Sequence, residues 1–317
     1  MEKRKLGGSD LFVYPITFGG NVFGWTIDEQ KSFEILDGFT AAGFNFIDTA
    51  DSYSHWVPGN KGGESETIIG NWMEQRKNRQ EVIIATKVGS IPGTTTKSLA
   101  KDYILKCVDA SLKRLKTDYI DLYQSHYEDL NTPIEETLEA YDQLVKTGKV
   151  RWIGASNYSV PGLMAALEVA EKLGLPKYQT LQPEYNLYKR EGYEKELEQL
   201  VLDRQLGVIN YYALASGFLS GKYRSEADLN KSQRGAAAKN YLNERGFKIL
   251  KALDEVSEQY NASLASISLA WLMARPSVTA PIASVTSLAQ LEDLVRAAEL
   301  KLNNEDIAIL DEASSWQ

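Results

Sequence analysis

A chain of 317 residues, 43% hydrophobic and 25% charged, has the composition of an ordinary globular protein and room for two average domains or one large α/β barrel. A formal net charge of −8 without any cluster of Lys and Arg argues against nucleic acid as a partner, and the single cysteine, Cys107, excludes an internal disulfide and suits a reducing, cytoplasmic setting. No stretch approaches ~18 unbroken apolar residues, and no apolar run follows the basic N-terminus, so neither a membrane span nor a signal peptide is expected.

In chain order, residues 3–6 and 12–14 flank Gly7-Gly8-Ser9-Asp10 as a small hairpin. Residues 16–18 read as a short strand ending in Gly19-Gly20. Phe33, Leu36, Phe39 and Thr40 recur at helical spacing within 28–42, and Gly43 ends that helix. A buried strand at 45–47 delivers Asp48 at its exit, and a helix at 65–75 follows with Ile68, Ile69, Trp72 and Met73 on one face. Strand 81–85 closes on Thr86-Lys87 and leads to helix 101–115. Strand 120–123 closes on Gln124-Ser125-His126 and leads to helix 134–147. Strand 150–153 closes on Gly154-Ala155-Ser156-Asn157 and leads to helix 160–173. Strand 180–182, helix 193–204 and strand 207–211 come next, then an irregular stretch at 215–243. Helices at 244–260 and 263–274, a last strand at 279–282, and helices at 287–297 and 306–313 complete the chain.

Strand followed by helix thus recurs eight times after the hairpin. The strands are short and continuously apolar, as parallel strands buried on both faces are. The pattern predicts an α/β fold: one (β/α)8 TIM barrel over residues 1–317, with an N-terminal β-hairpin and extra C-terminal helices.

Active sites of such barrels lie at the C-terminal ends of the strands. The polar residues there are Asp48, Lys87, His126, Ser156, Asn157, Gln182 and Tyr211, with Tyr53 on the loop after Asp48. A Tyr hydroxyl is a poor acid at neutral pH, and a neighbouring ammonium favours its phenolate. Asp48, Tyr53, Lys87 and His126 therefore make a proton-delivery site for a carbonyl, with a hydride from a nicotinamide as the partner of that proton. Ser156, Asn157 and Gln182 suit a carboxamide, and Tyr211 offers a flat face to a ring. Asp51 lies beyond the strand end without an assigned partner and is expected to serve the loop alone. With two histidines, His55 and His126, and no CxxC, HExxH or EF-hand pattern, no metal site is expected. Neither GxGxxG nor GxxxxGK[ST] occurs, so a dinucleotide would bind without a Rossmann turn.

The run Gly43-Phe44-Asn45-Phe46-Ile47-Asp48-Thr49-Ala50 with Tyr53, then Thr86-Lys87, Ser125-His126 and Gly154-Ala155-Ser156-Asn157, resembles the aldo-keto reductases over essentially the full chain. The segment from Tyr211 to Tyr223 resembles that family's cofactor loop after the seventh strand. The resemblance implies an NAD(P)H-dependent reductase of aldehydes or ketones, with Tyr53 as general acid, Asp48 and Lys87 lowering its pKa, and His126 orienting the carbonyl. It implies carboxamide contacts from Ser156, Asn157 and Gln182 and stacking by Tyr211. Ala213, Leu214, Ser216, Gly217, Leu219, Gly221 and Lys222 would surround the pyrophosphate, and Ala283, Ser284, Thr286, Gln290 and Asp293 the far end of the cofactor. The family's basic residues for a 2′-phosphate are replaced here by Ala283 and Gln290, so NADP stands as the family default with NAD open; Lys222, Arg224 and Arg234 are the alternative cations. Trp25, His55, Trp56 and Tyr127 lie on loops at the catalytic rim, residues 56–63 have the turns of a lid, and Tyr212 either narrows the pocket or packs outward. Two rival readings stand beside the reductase: a cofactor-binding regulatory subunit with little turnover, and a Schiff-base aldolase using Lys87.

Overall fold

Eight short strands lie side by side, all parallel, in a computed structural model that describes residues 1–316. A hairpin of β1 (Arg4–Lys5) and β2 (Phe12–Val13) comes first and pairs antiparallel, Arg4 opposite Val13. The barrel strands are β3 (Thr17–Gly19), β4 (Phe46–Asp48), β5 (Ile83–Val88), β6 (Ile120–Ser125), β7 (Val150–Ser156), β8 (Thr180–Gln182), β9 (Gly207–Val208) and β10 (Ile282–Ala283). They run in chain order, and β10 pairs back onto β3. The circle closes where Thr279 N donates to Val208 O at 2.9 Å and Ile282 N to Asn210 O at 2.9 Å.

The main helices of the outer ring are α1 (Glu29–Ala41), α2 (Glu64–Arg76), α3 (Lys101–Leu115), α4 (Ile134–Lys146) and α5 (Val160–Leu173). The predicted helix over 193–204 is two short ones, α6 (Glu191–Glu194) and α7 (Leu197–Asp203). The break follows Glu194, whose carboxylate is held by Arg190, Tyr185 and Trp316. The irregular stretch contains α8 (Gly235–Ala238) among short 3-10 turns. Helices α9 (Glu244–Tyr260), α10 (Leu264–Met273), α11 (Leu288–Glu299) and α12 (Asn304–Ala313) complete the chain. Among the described residues, no helix is long and apolar enough to cross a membrane.

The two-residue period of a strand sorts side chains between two cores. Ile47, Ile84 and Tyr123 point outward into the layer beneath the helices, whereas Phe46, Ala85 and Leu122 pack inside the barrel. The hairpin plugs the lower end of that interior with Leu6, Leu11 and Val13. Its turn needs a glycine: Gly7 has φ +59°, and a Cβ there would lie 2.1 Å from Gln179 O. Two residues beyond Phe46, Ala85 and Leu122 on the same inner face come Asp48, Lys87 and Gln124. The register sets Asp48 beside Ala85 and Lys87 beside Gln124, one layer above. The alternation that fills the core therefore aims an acid, an ammonium and an amide at the upper mouth.

Candidate active site

Lys87 is wholly buried, and its ammonium spends all three protons: on Asp48 Oδ2 at 2.6 Å, Thr49 O at 2.8 Å and the Tyr53 hydroxyl oxygen at 2.8 Å. An amine so engaged has no proton or lone pair free for a carbonyl, which argues against the Schiff-base reading. Asp48, 1% exposed, takes Lys87 on one carboxylate oxygen; the other accepts Gln182 Nε2 at 2.9 Å and Gln124 Nε2 at 3.3 Å. Tyr53 arrives from a turn in which its own N–H donates to Ala50 O at 3.2 Å. Its hydroxyl stands 3.4 Å from Asp48 Oδ2, and its ring lies edge-on to His126 at 6.0 Å.

The electrostatics differ from the sequence expectation in one respect. Burial pushes the Tyr53 hydroxyl well above its ordinary pKa, and the charge of Asp48 pushes the same way. The resting site thus holds the proton on Tyr53, with the Lys87 ammonium against the same oxygen. Burial lowers the Lys87 ammonium, with Asp48 acting against it. His126 is driven well below the usual imidazole range by burial and then by Lys87, so it stands neutral at pH 7, with Nδ1 buried and unpartnered. Tyr127 stacks on it with ring centroids 4.8 Å apart.

Asp48, Tyr53 and His126 open onto a cavity of about 890 Å³ that continues past Ser156, Asn157, Gln182 and Tyr211 to Gln290 and Asp293. Lys87 sits behind its wall. Ser156, Asn157, Gln182 and Tyr211 are brought together and bond one another: Ser156 Oγ donates to Gln182 O at 2.9 Å, Asn157 Nδ2 to Ser156 Oγ at 3.1 Å, and the Tyr211 hydroxyl to Asn157 Oδ1 at 2.8 Å. Tyr211 lies outside the two-residue strand β9, in a single bridge with Glu184. Tyr212 borders the cavity, half exposed, its ring 5.2 Å from that of Tyr211.

Ala213, Leu214, Ser216, Gly217 and Lys222 line the cavity, as do Ala283, Ser284, Thr286, Gln290 and Asp293. Ala215, Ser216 and Gly217 all take left-handed backbone, curling the loop, and a Cβ on Gly217 would lie 2.9 Å from Lys222 Cε. Leu219 and Gly221 are not brought to the cavity. Leu219 is fully buried in the core, and Gly221 makes a left-handed turn against Leu264. Of the alternative cations, Arg224 is taken up bidentately by Asp254 at 2.8 and 2.6 Å. Lys222 and Arg234 border the cavity. Arg234 lies over the Trp25 ring at 5.2 Å and reaches Asn21 Oδ1 at 3.3 Å, with no carboxylate partner among the described residues.

His55, Trp56 and Tyr127 border the catalytic end of the cavity, and Trp25 backs Trp56 edge-on at 5.5 Å. The lid-like loop is tied down: Asn60 Nδ2 donates to Gly24 O at 3.1 Å and to Ser54 O at 3.0 Å. Sequence reasoning missed Gln124, which shares Asp48 with Gln182, and Asn21, which accepts from Ser284 Oγ at 2.8 Å. Gln124 was legible, since it keeps the inward parity of Leu122; Asn21 follows a glycine pair in a loop and carries no such signal.

The family described as the Aldo/keto reductase family matches residues 15–315. The uncharacterized oxidoreductase YrpG of Bacillus subtilis (strain 168) is 35% identical, over 98% of this chain and 95% of its own. A probable voltage-gated potassium channel subunit beta of Arabidopsis thaliana is 30% identical, over 95% and 92%. Norsolorinic acid reductase B of Aspergillus parasiticus is also 30% identical, over 96% and 80%.

Proposed function

The chain belongs to the aldo/keto reductase family and is an oxidoreductase of carbonyl compounds; on that premise we propose that it uses a nicotinamide cofactor, NADPH by family habit, with Tyr53 delivering the proton to the carbonyl oxygen of an aldehyde or ketone. The observation that carries this reading is the contact set around Lys87: one buried ammonium holding both Asp48 and the Tyr53 hydroxyl, beside a neutral His126, at the mouth of a long cavity. Residues 1–317 work as a single catalytic unit, in the cytoplasm.

The residues present fit a dinucleotide. The cavity is long, its loop at Ala215 to Gly217 curls through left-handed backbone that brings Ser216 and Gly217 to the cavity wall, and Lys222 and Arg234 stand beside it. When bound, the nicotinamide supplies the hydride. Ser156, Asn157 and Gln182 offer amide and hydroxyl groups to its carboxamide, Tyr211 a ring face, and Ser284, Thr286 and Gln290 polar atoms to its far end.

His126, neutral, donates a hydrogen bond to the carbonyl oxygen and orients it. Tyr53 gives its proton to that oxygen as the alkoxide forms, and Lys87, already 2.8 Å away, stabilises the phenolate. Asp48 fixes Lys87 while Gln124 and Gln182 fix Asp48. In the reverse direction the same groups take a proton from an alcohol.

Titrating the protein with NADPH and with NADH by tryptophan fluorescence, then adding a panel of aldehydes and ketones, tests the reading. Cofactor oxidation is expected. The likeness to proteins named as channel beta subunits keeps one second reading, a cofactor-binding subunit with little turnover, and tight cofactor binding without oxidation across the panel would favour it.

A further inference from the structure

Three residues past Asp48 the chain buries another carboxyl that the chemistry above does not use. Asp51 is not a loop residue facing solvent: it is 7% exposed and turned away from the cavity. Its N–H donates to Lys87 O at 3.2 Å, which ties it to the residue that carries the ammonium. Among the described residues, one of its carboxylate oxygens, Oδ1, has no hydrogen-bond partner, and the Tyr123 hydroxyl is buried in the same condition.

The groups facing it come from every element around it. Glu66 on α2 brings a second carboxylate, already occupied by Arg114 Nε at 2.6 Å and Thr86 Oγ1 at 2.6 Å. From α3 come Arg114, committed to Glu66, with Tyr103 and Cys107. Lys87 on β5, Tyr123 on β6 and Tyr141 on α4 also interact with its charge. Two buried carboxylates here share one guanidinium that has already chosen Glu66. An ionised Asp51 would lie buried, beside a like charge and with a bare oxygen, which is the costly arrangement; the neutral acid avoids it.

We propose that Asp51 is a positioning residue for the Tyr53–Lys87 pair: a buried carboxylic acid that keeps its proton, leaving Asp48 as the working counter-ion of Lys87, and that acts as a second counter-ion of Lys87 once it ionises. Burial and Glu66 both push its carboxyl up, in keeping with the geometry. The ammonium needs that help because burial drives it the other way. This inference rests on the role given to Tyr53 and Lys87 above.

Two measurements on the intact protein test it. The first is the melting temperature of wild type and Asp51→Asn from about pH 5 to pH 9, without cofactor. An unfolded Asp ionises near ~3.9, whereas the folded Asp51 keeps its proton. Wild type therefore loses stability relative to the variant as pH rises, and the gap in melting temperature widens with each pH unit until Asp51 ionises in the fold. A gap independent of pH overturns the neutral acid. Asp51→Ser, equally unable to ionise, gives the same comparison should Asn not be accommodated.

The second is the pH–rate profile, each protein scaled to its own plateau. The alkaline limb of Asp51→Asn falls at lower pH than that of wild type, because Lys87 has lost its reserve counter-ion. Superimposed limbs overturn the counter-ion role. The melting arm needs neither cofactor nor substrate, so its failure is distinguishable from failure of the reductase reading, which shows as no turnover of any carbonyl.

Discussion

Asp48 Oδ2 and Lys87 Nζ meet at 2.6 Å with both side chains out of solvent, and the Tyr53 hydroxyl closes a triangle on the same ammonium at 2.8 Å. Burying such a pair costs desolvation on both ends, so a buried ion pair is weak evidence for stability. Its value here is placement: Asp48 keeps Lys87 charged and aimed at one phenol.

Lys87→Met separates the two aspects. It strands the buried Asp48 carboxylate, so stability falls by about 3–5 kcal/mol, and turnover falls by roughly 10²-fold or more. Adding Asp48→Asn removes the stranded charge. Denaturant titration of the double variant recovers much of the stability, while its turnover stays at the level of the single variant. Recovery of turnover in the double variant would mean that Lys87 acts structurally.

His126 sets a pH dependence of stability. Its imidazole is held well below its ordinary range, so the unfolded chain takes up a proton that the fold refuses. Stability from this group is complete above about pH 6.5 and is lost as pH falls from there toward the lowered value. The melting temperature of His126→Asn, measured against wild type, improves steadily from pH 7 to pH 5. A constant difference over that window would mean that His126 titrates normally.

Arg234 borders the cavity with Trp25 beneath it and, among the described residues, no carboxylate to neutralise it. Arg234→Met weakens dinucleotide binding by about tenfold or more, the scale of one charge-assisted hydrogen bond to phosphate. Fluorescence titration reads this directly, and unchanged affinity for both NADPH and NADH would remove Arg234 from the cofactor site.

Gly70 marks where α2 and α3 touch. A Cβ there would lie 2.1 Å from Arg114 O, so Gly70→Ala forces the helices apart and costs about 1–3 kcal/mol. Gly192→Ala, with nothing within 4 Å, is the control and leaves the melting temperature unchanged or slightly raised. Equal melting temperatures for the two variants would contradict the packing argument.

The barrel and its chemistry were legible because they rest on local, periodic signals. Short, continuously apolar runs marked the strands, and the polar residues at their C-terminal ends marked the catalytic mouth. What sequence could not reach is long-range. Leu219 reads as part of a cofactor loop, yet the left-handed turn at Ala215 to Gly217 carries it into the core. Arg224 and Arg234 look alike as loop cations until Asp254, thirty residues on, claims the first. Asp51 and Asp48 share one short segment, and α2 and α3 decide that the former is sealed away from the cavity.

The central claim is that Tyr53 is the proton donor, and Tyr53→Phe tests it most directly, since the ring is kept and the hydroxyl alone removed. Turnover with an aldehyde and the dissociation constant of the cofactor are measured on the same sample. The account predicts turnover lower by about 10²–10⁴-fold with cofactor affinity near that of wild type. Wild-type turnover in Tyr53→Phe would contradict it.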